Sequence, residues 1–295
     1  MNGPQSGNGA GPQTPPLRLG GMALRNGLVI HGPSAWAAAA RTSEGRIEVA
    51  SGPKPSFARG RLGAIPLVRG PLRLAEAFAV VPTARARLRS ARLPLEDRRV
   101  IVVALGTAVA SRWMRRLGEA TAPRGSATLR ESVIALLGVL PATAALRDRD
   151  LAAYHGVEHK AIGAYERGSR DPAEAPKEHA RCGSNLIAPL LFLSVAGQVI
   201  ADRLATRPGP LPRALAGLAS VSAAVEVFAY AERNPESGLG RAVHGIGHEI
   251  QRLLSTREPT PQQLEVGSAA LEAVLREEAL AGGVQGPREA ADTLY

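Results

Sequence analysis

The chain has 295 residues, enough for two modest domains or for one large helical body with an appendage. Apolar residues make up 45% but aromatics only 3%, so a core or a lipid-facing surface must be built from Ala, Leu and Val, which suits helix-on-helix packing. The formal charge of +10 invites a polyanion, but no zinc-finger, basic-helix or aromatic RNA-platform pattern accompanies it, and nucleic-acid binding is set aside.

Lys54, Lys160 and Lys177 are the only lysines, so arginine carries the positive charge, with the Ala, Gly and Pro richness of a GC-rich genome. Cys182 is the sole cysteine. It excludes an intrachain disulfide and favours the cytoplasmic side.

In chain order, residues 1–19 are rich in Gly, Pro, Asn and Gln with no apolar run, which argues against a secretory signal and for a disordered tail. Residues 20–66 hold a small β element and a link. Short apolar stretches between Leu24 and Ala50, separated by Gly32-Pro33 and Ser43-Glu44-Gly45, predict an antiparallel meander, with His31 as a turn residue. Pro71 can start a helix with Leu72, Leu74, Ala75 and Phe78 along its apolar side, and residues 67–281 are expected to form a helical body before a flexible tail at 282–295.

Four later stretches are apolar: 100–111, 132–146, 182–201 and 214–225. Only 182–201 reaches the roughly 20 residues that a membrane-spanning helix needs. Arg98, Arg99, Arg112, Arg115 and Arg116 bracket the first stretch, as in an interfacial or re-entrant helix. Near the C-terminus, Leu264, Val266, Ala270, Leu271, Val274 and Leu275 have the period of an amphipathic helix over 263–281, and Pro259 and Pro261 bar helix just before it.

The chemistry concentrates in residues 154–166. At 3.6 residues per turn His155, Glu158 and His159 share one helical face with Ile162 and Glu166, while Ala153, Val157, Ala161 and Ala164 point away. Imidazoles at i and i+4 can reach one divalent ion and an intervening carboxylate can activate water, the arithmetic of the H-x-x-E-H pattern. Short motifs also match by accident, and a buried network pairing Glu158 with Lys160, Arg181 or a protonated His is the competing reading.

A metal site needs a third ligand. Glu226 interrupts an apolar run, a costly position unless it binds a cation or accepts hydrogen bonds, and is the first choice; His179 and Cys182 are the alternatives. Cys182 as a nucleophile is disfavoured because no base is fixed beside it. His244 and His248 form a second i,i+4 pair, weakened by two intervening glycines and read as a solvated or partner-facing patch.

Four ordered blocks resemble the YqhQ-like bacterial family, a domain of unknown function described as predicted metal-dependent enzymes with membrane helices. They are Gly20-Gly21-Met22-Ala23 with Gly27 and Gly32-Pro33; Tyr154-His-Gly-Val-Glu-His-Lys160; His179-Ala-Arg-Cys-Gly-Ser184; and Thr256-Arg-Glu-Pro259 with Leu264-Glu-Val266. The resemblance marks His155, Glu158, His159, Glu166, His179, Arg181, Cys182, Glu226 and Arg233. The chain departs from the family pattern at Met22, Asn26 and Ala180, where glutamine, glutamate and proline are usual.

The expectation is a mainly α, membrane-associated bundle in the bacterial cytoplasmic membrane, holding one divalent metal, zinc by preference, and hydrolysing a small-molecule or peptide substrate. His155 and His159 bind the ion with Glu226, His179 or Cys182; Glu158 is general base; Arg181 and Glu166 contact substrate. The alternative is a non-catalytic membrane protein whose polar helix face braces the fold or docks a membrane-protein partner.

Overall fold

The computed structural model describes residues 16–57, 63–121, 127–169, 171–204 and 209–284. The expected tails fall outside these residues at 1–15 and 285–295; within them, Leu19 is buried in the core and the last helix continues to Val284.

The meander is a four-stranded antiparallel sheet in sequential order: β1 (Gly20–Leu24), β2 (Gly27–His31), β3 (Ala35–Arg41) and β4 (Ile47–Pro53). Both faces are covered, which explains why β2 and β3 read as near-continuous apolar runs. Leu28, Ile30, Ala37 and Ala39 face a core shared with α5 (Arg149–Glu166) and α9 (Pro261–Val284). Leu24, Val29, Trp36, Ala38 and Ala40 face Val80 and Ala84 of α1 (Arg69–Arg87). His31 is not in a turn: it ends β2 opposite Trp36 and packs over Gly20.

The side of α1 that meets the protein carries Gly70, Glu76, Val80 and Ala84, whereas Phe78 is 60% exposed. The expected apolar side is thus only partly covered: Leu72 and Leu74 are half-buried, while Ala75 and Phe78 point outward. The remaining helices are α2 (Arg98–Thr121), α3 (Ala127–Leu137), α4 (Leu140–Leu146), α6 (Ile187–Leu204), α7 (Pro210–Arg233) and α8 (Gly238–Ile250). α2 packs on α3 and α4, α3 on α6, α6 on α7, and α7 on α1 and α8.

Three stretches among the described residues, not one, are long and apolar enough to cross a membrane: Thr128–Leu146, Gly183–Leu204 and Leu211–Arg233. Counting charge-free runs alone undercounted them, because the helices continue past Arg130, Glu131 and Glu226. Between 11% and 22% of each apolar window is fully buried, and Leu129, Leu136, Phe192, Ile200, Leu211, Leu215 and Leu218 are exposed.

Ion pairs tie the helix ends together at two levels. Arg115 of α2 meets Glu131 of α3 at 3.0 Å, Arg130 of α3 meets Asp202 of α6, and Asp202 meets Arg213 of α7 at 3.4 Å. At the opposite ends Arg25, in the β1–β2 turn, reaches Asp148 before α5 at 2.7 Å and Asp97 before α2 at 3.5 Å.

Candidate metal centre

α5 is held at its start by Asp148, whose side chain accepts from the amides of Asp150 and Leu151, and it ends before Gly168 at φ +67°. The sequence pattern predicts one reactive and one packing stripe. Instead the helix is buried nearly all round, because β1, β2 and α9 cover one side and the 172–182 segment the other.

The candidate ligands come from three places. His155 and His159 lie on successive turns of α5 with ring centroids 4.4 Å apart. Cys182 ends the 177–182 loop and caps the turn Gly183–Leu186 that leads into α6. One nitrogen from each imidazole and the Cys182 Sγ all lie within 4.8 Å of one another.

The rings are oriented by their other nitrogens. His155 Nδ1 donates to the Ser255 carbonyl at 2.8 Å and His159 Nδ1 donates to the Lys177 carbonyl at 2.6 Å. A carbonyl can only accept, so both Nδ1 atoms carry a proton, and in the neutral tautomer this leaves each Nε2 as the lone pair facing the centre. His155 Nε2 sits 3.3 Å from Cys182 Sγ, and His159 Nε2 is buried beside the same thiol with no other hydrogen-bond partner. Backbone carbonyls on Nδ1 and convergent Nε2 atoms are the outer shell that metal-ligating histidines use. Burial also pushes His159 below the usual imidazole range, towards the neutral form a ligand needs.

A π-helical turn, Gln251–Ser255, supplies much of this positioning. Its Ser255 carbonyl orients His155. Its buried Gln251 clamps the backbone of His179, accepting from the amide at 2.7 Å and donating to the carbonyl at 3.2 Å. Such single π turns recur at functional sites.

Glu158 is buried between β1 and the imidazoles, and burial holds its carboxyl above the usual range against the pull of His155 and His179. Two of the three partners that the competing network offered are engaged elsewhere: Lys160 meets Glu258 at 2.7 Å, and Arg181 meets Glu166. Gly21 makes room for Glu158, since a Cβ there would lie 2.7 Å from both Glu158 Cγ and the Val29 carbonyl oxygen.

The structure does not bring Glu226 to the imidazoles. Both of its oxygens are engaged by Arg69, at 3.0 and 2.7 Å, and Oε1 also accepts from the Leu67 amide at 3.2 Å. A bidentate guanidinium answers its cost in an apolar helix without a metal. His179 stands beside the centre, 5.8 Å from His159 ring to ring, with Nε2 on Glu166 at 3.1 Å. Burial works to raise the Glu166 carboxyl, but hydrogen bonds from His179 and Arg181 outweigh it and hold it below the usual range. The Arg181 guanidinium is therefore balanced within the protein by Glu166, not left bare for substrate.

A cleft of 310 Å³ opens beside the centre, lined by Glu178, His179, Asn185, His244, His248 and Gln251 among others. His244 contacts Glu232 at 3.6 Å and the Ala231 carbonyl at 3.3 Å, while His248 is exposed. Of the two glycines between them, Gly247 is required, because a Cβ would lie 1.6 Å from Asn185 Oδ1. Sequence reasoning missed Gly21, Gln251 and the carbonyls of Lys177 and Ser255; only Gly21 left a trace, as part of the N-terminal glycine block.

No curated protein and no solved structure matches the chain. A family profile matches residues 127–277, about half of the chain, and with them His155, Glu158, His159, Cys182 and the π turn. Consistent with the YqhQ-like resemblance, the chain belongs to the DUF1385 family, proteins of unknown function.

Proposed function

We propose that the chain is a membrane-embedded hydrolase of the bacterial cytoplasmic membrane that holds one zinc-type divalent ion on His155, His159 and Cys182. The single observation that carries this reading is the convergence of two Nε2 atoms and one thiol within 4.8 Å, with His159 Nε2 buried and otherwise unpartnered. Two imidazoles and a thiolate form a borderline-soft donor set that suits zinc, and three protein ligands leave a fourth position for water or substrate. A divalent ion held there supplies Lewis acidity that brings the pKa of water near neutrality.

Glu158 is the general base, placed on the same helical face as both imidazoles and kept from other partners by burial. The Glu166–His179–Arg181 group holds the loop that carries Cys182. Substrate enters by the cleft over His179, Asn185 and His244, which gives this site room for a small molecule or the end of a peptide.

The membrane placement is supported by the three long apolar segments and by the two levels of ion pairs. The Arg115–Glu131 and Arg130–Asp202 pairs put the end of α2 level with the start of α3 and the end of α6. The Arg25 pairs put the start of α2 level with the start of α5. On this reading α2, roughly 36 Å long for its 24 residues, runs the same depth as the spans as a fourth and less apolar crossing. Its Val102, Leu105, Val109 and Trp113 are 62–68% exposed and face lipid, with the arginines at either end snorkelling to the surfaces. The sheet, the metal centre and α9 then share one face, the reducing cytoplasm that a lone free thiol favours.

Elemental analysis of the purified chain tests the reading. About one equivalent of zinc or a similar ion is expected, retained by Glu158→Gln and lost from His159→Ala; a chain that neither carries nor takes up metal contradicts it.

A further inference from the structure

The metal centre is not the molecule's only cavity. A second, of 430 Å³, lies against an adjacent face of α5, where Tyr154 lines it one residue before His155 faces the centre. Its charged lining consists of Arg25, Arg41, Arg92 and Asp150; Arg25 is paired with Asp148 and Arg41 with Glu265, both outside the lining, which leaves Arg92 as the guanidinium without an ion pair among the described residues. Two lining residues carry buried polar atoms without a partner, Arg41 Nε and Thr42 Oγ1. Arg92 itself is exposed. The first turn of the 24-residue α9 also opens here through Gln262 and Gln263, adding the positive end of a helix to the three guanidiniums.

The depth of this cavity is fixed by Arg25, which joins its wall to Asp97 and Asp148, the residues that immediately precede α2 and α5. On the membrane placement proposed above, on which this inference rests, that level is where the apolar spans end and lipid headgroups begin. Basic pockets beside helix ends at this level are where anionic headgroups are recognised. We infer that the cavity binds a phosphate group, and that its source is the headgroup of an anionic membrane lipid. Arg92 and the positive end of α9 meet the charge, while Arg41 Nε and Thr42 Oγ1 donate the hydrogen bonds they now lack.

The test uses the intact chain in a mild detergent, titrated with short-chain phosphatidylglycerol, short-chain phosphatidylcholine or inorganic phosphate and read by native mass spectrometry. One phosphatidylglycerol per chain is expected, bound more tightly than phosphatidylcholine. The Arg92→Gln and Thr42→Val pair should weaken it at least tenfold, whereas Arg89→Gln, outside the cavity, should leave it unchanged. Equal binding to the paired variant, or no saturable binding, overturns the site. Displacement by inorganic phosphate at matching concentration overturns the lipid source and assigns a soluble phosphate ligand instead. A chain that alkaline carbonate strips from membranes fails on the membrane placement, while a membrane-retained chain without the phosphatidylglycerol preference fails on this inference alone. Metal content and circular dichroism, unchanged in the paired variant, keep either result separate from the metal centre and from misfolding.

Discussion

Two imidazoles one turn apart become a binding site only when each turns the same nitrogen inward, and here two carbonyl oxygens enforce that choice. The residues that do the pointing, Ser255 and Lys177, lie 100 and 18 positions away from the rings they orient. This is why the nearness of His155 and His159 was legible from local spacing while their orientation was not. Glu226 was misread for the same reason: its isolation in an apolar run was visible, but its partner Arg69 lies 157 residues away. Two residue-scale outcomes follow. Gly21→Ala would press a methyl group against a backbone oxygen that cannot swing aside and against Glu158, so thermal melts should show a loss of about 1–3 kcal/mol. His31 is held down to about 4 by burial and by Lys54, 3.3 Å away. With an unfolded value near 6.5, the unfolded chain takes up the proton first as the pH falls. Stability is therefore full above about pH 6.5 and declines towards pH 4, by up to about 3 kcal/mol. His31→Gln should flatten that slope in melts recorded across the range.

At the scale of elements, the π turn carries the most consequence for its length. Five residues fix one imidazole through a carbonyl and the 177–182 loop through Gln251. Gln251→Ala should lower metal affinity by about 10- to 100-fold with helix content unchanged by circular dichroism, as expected of an outer-shell partner. An unchanged affinity would show that the loop holds itself. The meander and α9 were readable because turn residues and apolar period are local signals. The π turn was not, since nothing in Gln-Arg-Leu-Leu-Ser departs from ordinary helix formers. α5 shows the complementary case: its periodicity marks a reactive face, but what buries that face comes from residues 20–31 over Glu158 and from 177–182 over the imidazoles, and no window within 154–166 reveals either. The outward Phe78 of α1 follows the same logic, because which side of an apolar helix meets protein depends on neighbours distant in sequence.

For the whole molecule, the membrane placement proposed above has four crossings, the three long apolar segments and α2, with the sheet and the metal centre on one side. In a Cys182→Ser background, cysteines placed at Gly209 and Arg116 should react with an impermeant maleimide from outside intact cells, and one at Ser43 only after permeabilisation. Labelling of Arg116Cys and Ser43Cys from the same side would lay α2 along the surface instead. The central claim, however, is the three-ligand centre, and the most direct measurement is metal stoichiometry with X-ray absorption on the intact chain in lipid nanodiscs. The account predicts about one ion per chain with one sulfur and two imidazole neighbours, the sulfur signal vanishing in Cys182→Ser and the signature unchanged in Glu226→Gln. An ion bound without sulfur, or lost on changing Glu226 but not His159, would contradict it.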